Sequence, residues 1–168
     1  MIYFTGDTHF GDPLVLQIDR RPFDNISDHD AALVDNWNAL IGVDDDVWHL
    51  GDVISKAGDC TKLLGTLNGR KHLIVGNNDP EATTCSPGWS SVQHYAELRD
   101  GHHHLILCHY AFRTWNQMGK GSINLHGHSH GRLKPVPRQF DVGVDAQGMC
   151  PVRLEQLLAS RGKRASIT

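Results

Sequence analysis

The sequence predicts a layered α/β domain with at least one mixed sheet. Three observations carry this. Short apolar runs alternate with helix-period segments in the first half, and strand-like runs dominate the second. No repeat, low-complexity tract or dividing linker interrupts the 168 residues. Leu, Ile, Val and Phe make up a quarter of the chain, enough for a packed core. One domain over residues 1–160 is expected, with a polar tail over 161–168.

The elements follow in order. Residues 2–5 form a short apolar run closed by Gly6, the pattern of a buried strand. Residues 10–26 are punctuated by Pro13 and Pro22 and read as irregular. Ser27 can cap a helix over 28–41, with Leu33, Val34, Trp37, Leu40 and Ile41 on one face and Gly42 closing it. A strand over 47–50 ends at Gly51-Asp52. A helix over 59–67, with Leu63, Leu64 and Leu67 inward, stops at Asn68-Gly69. A strand over 72–75 ends at Gly76-Asn77. Arg99-Asp100-Gly101 reads as the turn of a hairpin between strands 90–98 and 102–108. Residues 123–126 give another strand, and the alternation of Phe140, Val142 and Val144 one more. Residues 152–160 fit a strand edge or a short helix.

Composition narrows the function classes. No apolar run reaches membrane-spanning length, and the N-terminal stretch lacks the basic flank of a secretory signal. Cys60, Cys85, Cys108 and Cys150 form no CxxC pair, so reduced thiols in a cytoplasmic protein are expected. Net charge is −3, but residues 1–84 carry 14 acidic and 6 basic side chains while residues 85–168 carry 5 and 10. That split is compatible with an anion-binding surface in the second half, or with two interleaved halves. Twelve histidines are many for this length, and histidine is the commonest metal ligand and acid–base side chain.

Five strand ends carry polar residues of one kind. They are Asp7 and His9, then Asp52, then Asn77, then His109, then His128 and His130. Sites in open α/β sheets form just beyond the carboxyl ends of strands. Two carboxylates, one amide and four imidazoles suit first-row divalent ions better than calcium. Seven donors exceed one tetrahedral ion and suffice for two if one carboxylate bridges. Two such ions can clamp the attacking and leaving oxygens of an in-line displacement at phosphorus.

Asp7-Thr8-His9, Gly51-Asp52, Gly76-Asn77, His109 and Gly127-His128-Ser129-His130 resemble, in order, the motifs of the calcineurin-like metallophosphoesterases. The resemblance covers residues 2 to about 145 and is nearest to the compact, single-domain, prokaryotic-type branch. It implies a four-layer αββα sandwich. It implies one metal on Asp7, His9, Asp52 and His130 and a second on Asp52, Asn77, His109 and His128. Asp52 would bridge, with a metal-bridging hydroxide as nucleophile. Manganese leads among the metals, with iron, zinc, cobalt or nickel as alternatives.

One position departs from the family pattern. Where the family places a histidine after Gly-Asn, this chain has Asn78, which can donate a hydrogen bond but delivers no proton at neutral pH. Leaving groups that need little protonation are therefore expected, and Asp79 loses the histidine it would orient. Asn78, Asp52 and His109 are the candidate catalytic residues, and Asn78, Arg113 and Arg21 the candidate phosphate contacts. Tyr110 and Trp115 are read as loop anchors first and as stacking platforms second. His49 and His126 are read as strand residues, His102 to His104 as a solvated hairpin, and His29, His72 and His94 as surface residues.

The expected function is hydrolysis of phosphodiester or nucleotide-type phosphoester bonds on a small substrate. The alternatives are a nuclease, disfavoured by the lack of a basic stripe, and a catalytically weak nucleotide-binding or protein-interaction scaffold. The sequence fixes no oligomeric state, a homodimer included.

Overall fold

The computed structural model describes the backbone of residues 1–165 and the side chains of residues 1–160. Two four-stranded sheets pack against each other, with helices flanking them. The first sheet holds β1 (Ile2–Thr5), β2 (Asp46–His49), β3 (Arg70–Ile74) and β4 (Trp89–Gln93), in that order and all parallel. Parallel neighbours need crossover connections. These are α1 (Leu14–Ile18) with α2 (Ile26–Leu40), then α3 (Cys60–Thr66), then α4 (Glu81–Thr84). The second sheet holds β5 (Tyr95–Asp100), β6 (His103–Cys108), β7 (Ile123–His126) and β8 (Gln139–Asp141). Its first pair is antiparallel and the other two are parallel, so this sheet is the mixed one.

Strand alternation sorts the core into layers. In β1, Tyr3 faces Trp37 and Ile41 on the α2 side, while the next residue, Phe4, faces the second sheet. Phe4, Leu50 and Ile74 meet Leu105, Leu107, Leu125 and Phe140 between the sheets. Leu154 and Leu157 of α5 (Leu154–Ala165) join that same cluster. On the other face of the first sheet, Leu33, Leu64 and Leu73 bring α2 and α3 onto β3.

Four expectations change. The cap of α2 is Asn25, not Ser27: its side chain accepts the Asp28 N–H at 2.9 Å, so the helix starts two residues early. The irregular stretch before it contains the short α1. The expected strand over 90–98 is two strands, because the chain leaves the first sheet at His94 and enters the second at Tyr95. A period-2 pattern does not mark which sheet a strand joins. Residues 152–160 are both alternatives in turn. Val152 bridges Phe4 through hydrogen bonds of 2.8 and 2.9 Å, and α5 then runs to Ala165, into the expected tail. Residues 166–168 of that tail lie outside the described residues.

No helix among the described residues is long and apolar enough to cross a membrane. All four cysteines are free thiols.

Candidate metal centre

The register Thr5↔His49↔Leu73 brings the carboxyl ends of β1, β2 and β3 level. The loops that follow are tied to one another by backbone bonds, Asp7 N–H to Gly51 C=O at 2.9 Å and His9 N–H to Asp52 C=O at 3.0 Å. The second sheet joins the same edge. Gly127 N–H donates to His109 C=O at 3.0 Å, and Val144 N–H donates to Gly6 C=O at 3.0 Å.

Asp79 is the staple of this edge. Its carboxylate accepts the N–H groups of Asp52, Val53 and Gly76 at 2.8–2.9 Å. The residue expected to lack a role thus locks the β2 and β3 loops together.

Two donor groups result. In each, atoms of three side chains lie within 4.8 Å of one another: Asp7, His9 and His130 in one, Asp52, His109 and His128 in the other. Asp52 lies between them, its Oδ2 3.6 Å from His9 Nε2 and its Oδ1 3.7 Å from His109 Nε2. Asn77 Oδ1 sits 2.9 Å from His109 Nε2. All seven strand-end residues therefore face one locus.

The backbone is unusual there. Asp7, His9, Asp52, His128 and His130 all have positive φ, between 47° and 65°. Such residues are uncommon outside glycine, and their clustering is a mark of a functional site. Glycines make room for the carboxylates: a Cβ at Gly143 would overlap Asp7 Oδ2, and one at Gly76 would overlap Asp52 Oδ1.

The donor chemistry fits a cation. His109 Nδ1 faces Leu50 C=O at 2.6 Å, and a carbonyl only accepts, so Nδ1 carries the ring proton. In the neutral ring, Nε2 then presents a lone pair towards Asn77 Oδ1 and Asp52 Oδ1, and three acceptors converge. In the other group, His9 Nε2 is buried and makes no hydrogen bond among the described residues. His130 Nδ1 is committed to Asp145 at 2.8 Å, which leaves its Nε2 as the donor atom.

Titration follows burial. Burial raises the Asp7 carboxyl well above the ordinary range, against the pull of the His130 ring and the His128 N–H. Burial lowers His9, and it lowers His128 with help from the His109 ring. Lowered imidazoles are neutral at physiological pH, the form that binds metals. His130 is raised: burial disfavours its charge, but the Asp145 bond and the Asp7 and Asp19 carboxylates outweigh that.

The expected substrate contacts fare differently. Asn78 is exposed, but it is turned onto Asp52, with its N–H at 2.8 Å and its amide at 2.7 Å from the two carboxylate oxygens. Arg113 is exposed. Arg21 is corrected outright: its guanidinium is buried and spends all five N–H donors on the protein, leaving none for a phosphate. Trp115 is core, its indole N–H on Ser122 C=O at 3.2 Å. Tyr110 is 48% exposed, its ring 4.6 Å from the His128 ring. His29, expected at the surface, is fully buried between Arg21 and Asp30.

Sequence reasoning missed Asp145 and Asp19, which meet His130 Nδ1 at 2.8 and 3.3 Å. Asp145 follows the Phe140, Val142, Val144 alternation, but the strand expected there ends at Asp141 and Asp145 lies in the turn beyond it.

No family model matches the sequence. In overall structure the chain is similar to AQ665, a protein of unknown function from Aquifex aeolicus. The TM-score is 0.76 at 19% identity, over 94% of this chain and 97% of that one. In sequence it is 28% identical to the uncharacterized protein MJ1445 of Methanocaldococcus jannaschii, over 96% of this chain and 93% of that protein. It is 31% identical to the Gene 66 protein of Mycobacterium phage L5, with 87% of each chain covered. It is 35% identical to that of Mycobacterium phage D29, over 86% of this chain and 88% of the other. With that identity over most of both chains, the protein belongs to the family of the mycobacteriophage Gene 66 proteins.

Proposed function

We propose that this chain is a binuclear metal-dependent phosphoesterase with the calcineurin-like αββα fold, acting on phosphodiester or nucleotide-type esters. The observation that carries the reading is the position of Asp52, with one oxygen towards each of two His-rich donor groups. Asp7, His9, Asp52 and His130 would hold one divalent ion, and Asp52, Asn77, His109 and His128 the other. Two such ions supply Lewis acidity to phosphoryl oxygens and lower the pKa of water, which an all-protein site of these residues does not. Manganese remains the first choice of metal, and iron, zinc, cobalt and nickel also suit an N/O set.

The chain's own groups limit the substrate. Asn78 holds both oxygens of Asp52 with its N–H and amide, so it fixes that carboxylate and brings no transferable proton. Leaving groups that depart without protonation, such as aryl or nucleotide groups, fit this arrangement. Tyr110 supports the same preference, because its exposed ring stands beside His128 at the rim and can stack on an aromatic or nucleobase group.

The test is hydrolysis of bis-p-nitrophenyl phosphate by metal-stripped protein, with and without added Mn²⁺, beside Asp52→Asn. Activity that returns with metal and is lost in the variant supports the proposal. Inactivity with every divalent ion tried overturns it and favours a binding or scaffold role.

A further inference from the structure

We infer that Arg21 and Asp145 are positioning residues that set the metal affinity of one of the two donor groups and leave the other untouched. The inference rests on the binuclear reading above.

The contacts form one continuous path. Arg21 Nε and Nη2 donate to the two oxygens of Asp145 at 2.9 and 2.7 Å, a forked pair with a fully buried guanidinium. Asp145 Oδ2 in turn accepts from His130 Nδ1 at 2.8 Å. The same guanidinium reaches back to the β1 loop, donating to Asp7 C=O at 2.6 Å and Thr8 C=O at 2.8 Å. Its last N–H goes to His29 Nε2 at 2.9 Å. Arginine cannot accept, so His29 Nε2 must, and its Nδ1–H then donates to Asp30 at 2.8 Å. Asp30 also accepts Gly11 N–H at 2.9 Å, which ties down the loop beyond His9.

One side chain therefore restrains all three members of the first group. It holds the Asp7-Thr8-His9 loop by its carbonyls, with φ of 53° at Asp7 and 50° at His9, and it orients the His130 ring through Asp145. A ligand imidazole whose second nitrogen bonds a carboxylate keeps its tautomer and direction. The side chains of the second group are held otherwise, Asp52 by Asp79 on its backbone and by Asn78 on its carboxylate, and His109 by Leu50 C=O, although His128 N–H donates to the Asp7 carboxylate and His9 N–H to Asp52 C=O. Asp19, Asp145 and His130 also lie close enough together to hold an ion. However, Asp19 is paired with Arg132 at 2.6 Å and Asp145 with Arg21, so these carboxylates serve as the support of the first group.

The experiment measures Co²⁺ stoichiometry, affinity and visible absorption for wild type, Asp145→Asn, Arg21→Lys and the distant core variant Ile41→Val. Wild type should take up two ions. Asp145→Asn and Arg21→Lys should weaken one of them by about 10–100-fold and change its absorption band, with the other ion retained. Ile41→Val should lower the melting temperature and leave both ions at wild-type affinity, which separates positioning from general destabilisation. Should Arg21→Lys fail to fold, Asp145→Asn carries the test alone. Equal weakening of both ions, or of neither, overturns this inference while two ions on wild type leave the proposed function standing. A wild type that takes up no ion overturns both.

Discussion

The two donor groups use the same residue types and differ in what holds them. The Asp7, His9, His130 group is backed by a buried guanidinium–carboxylate pair, and Asp7 itself is fully buried. The Asp52, His109, His128 group is backed largely by backbone; its Asp52 and His109 are buried, and it reaches solvent through His128, beside the exposed Asn77, Asn78 and Tyr110, whereas His9 and His130 of the first group are half-buried. The difference teaches how such a locus divides its work. On the proposed reading, the Arg21–Asp145 pair supports one ion from behind, and the substrate meets the other at the rim formed by His128 and Tyr110.

Asp52→Asn strikes the residue the two sides share and should have the largest effect. Activity on an aryl phosphodiester should fall by at least about 100-fold, since even outer contacts of metal ligands are worth 10–100-fold. Steady-state rates at saturating Mn²⁺ check this. Added methyl groups should then separate the sides. Gly143→Ala drives a Cβ into Asp7, and Gly76→Ala drives one into Asp52, each at a cost of about 1–3 kcal/mol. Thermal unfolding should show both losses, and metal analysis should show Gly143→Ala weakening chiefly the ion of the Asp7, His9, His130 group, while Gly76→Ala weakens both ions because Asp52 is shared. If Gly76→Ala spares either ion, Asp52 is not the shared residue.

On the open rim, Tyr110→Ala should raise the KM for aryl or nucleotide esters by roughly 5- to 100-fold with little change in melting temperature, given that stacking is worth about 1–3 kcal/mol. Asn78→His should raise turnover of alkyl esters more than of aryl esters, within the roughly 10²–10⁴-fold that general acids supply. Equal gains on both esters would break the account of the leaving group.

A smaller effect lies beneath the site. Burial brings His49 down from 6.5 to about 3, against the pull of the Asp52 carboxylate and with the neighbouring His109 and His9 rings adding to the fall. Its folded pKa lies below its unfolded one, so the unfolded chain binds the extra proton. Stability should therefore fall as pH drops from about 6.5 towards 3. Asp145 is drawn down to about 2 despite its burial, by the His130 and Arg21 bonds, so its share is lost only at lower pH, below the usual carboxylate range. Denaturant titration across this range checks both, and His49→Gln should flatten the upper part of the slope.

Much of this was legible in the sequence. Apolar runs ending in Asp, Asn or His are local signals, and each places its polar residue at a strand's carboxyl end. Binary patterning likewise marks β1, β2, α2 and α3, because which face is buried is written every second or every third to fourth residue. Arg21 was not legible. An arginine in a proline-punctuated loop, next to a second one at Arg20, looks free to meet a phosphate, and only the encounter of Arg21 with Asp145, 124 residues away, reveals a clamp.

By itself, then, the sequence determined the α/β class, most of the elements and the seven polar residues at the strand ends, since all of these depend on near neighbours in the chain. The tertiary structure alone decided that residues 90–98 divide between two sheets, that Asp79 staples two loops, that His29 and Arg21 are buried, and that Asp145 stands behind His130. Each of those is a long-range pairing, and a buried charge shows its partner only once the chain has brought the two together.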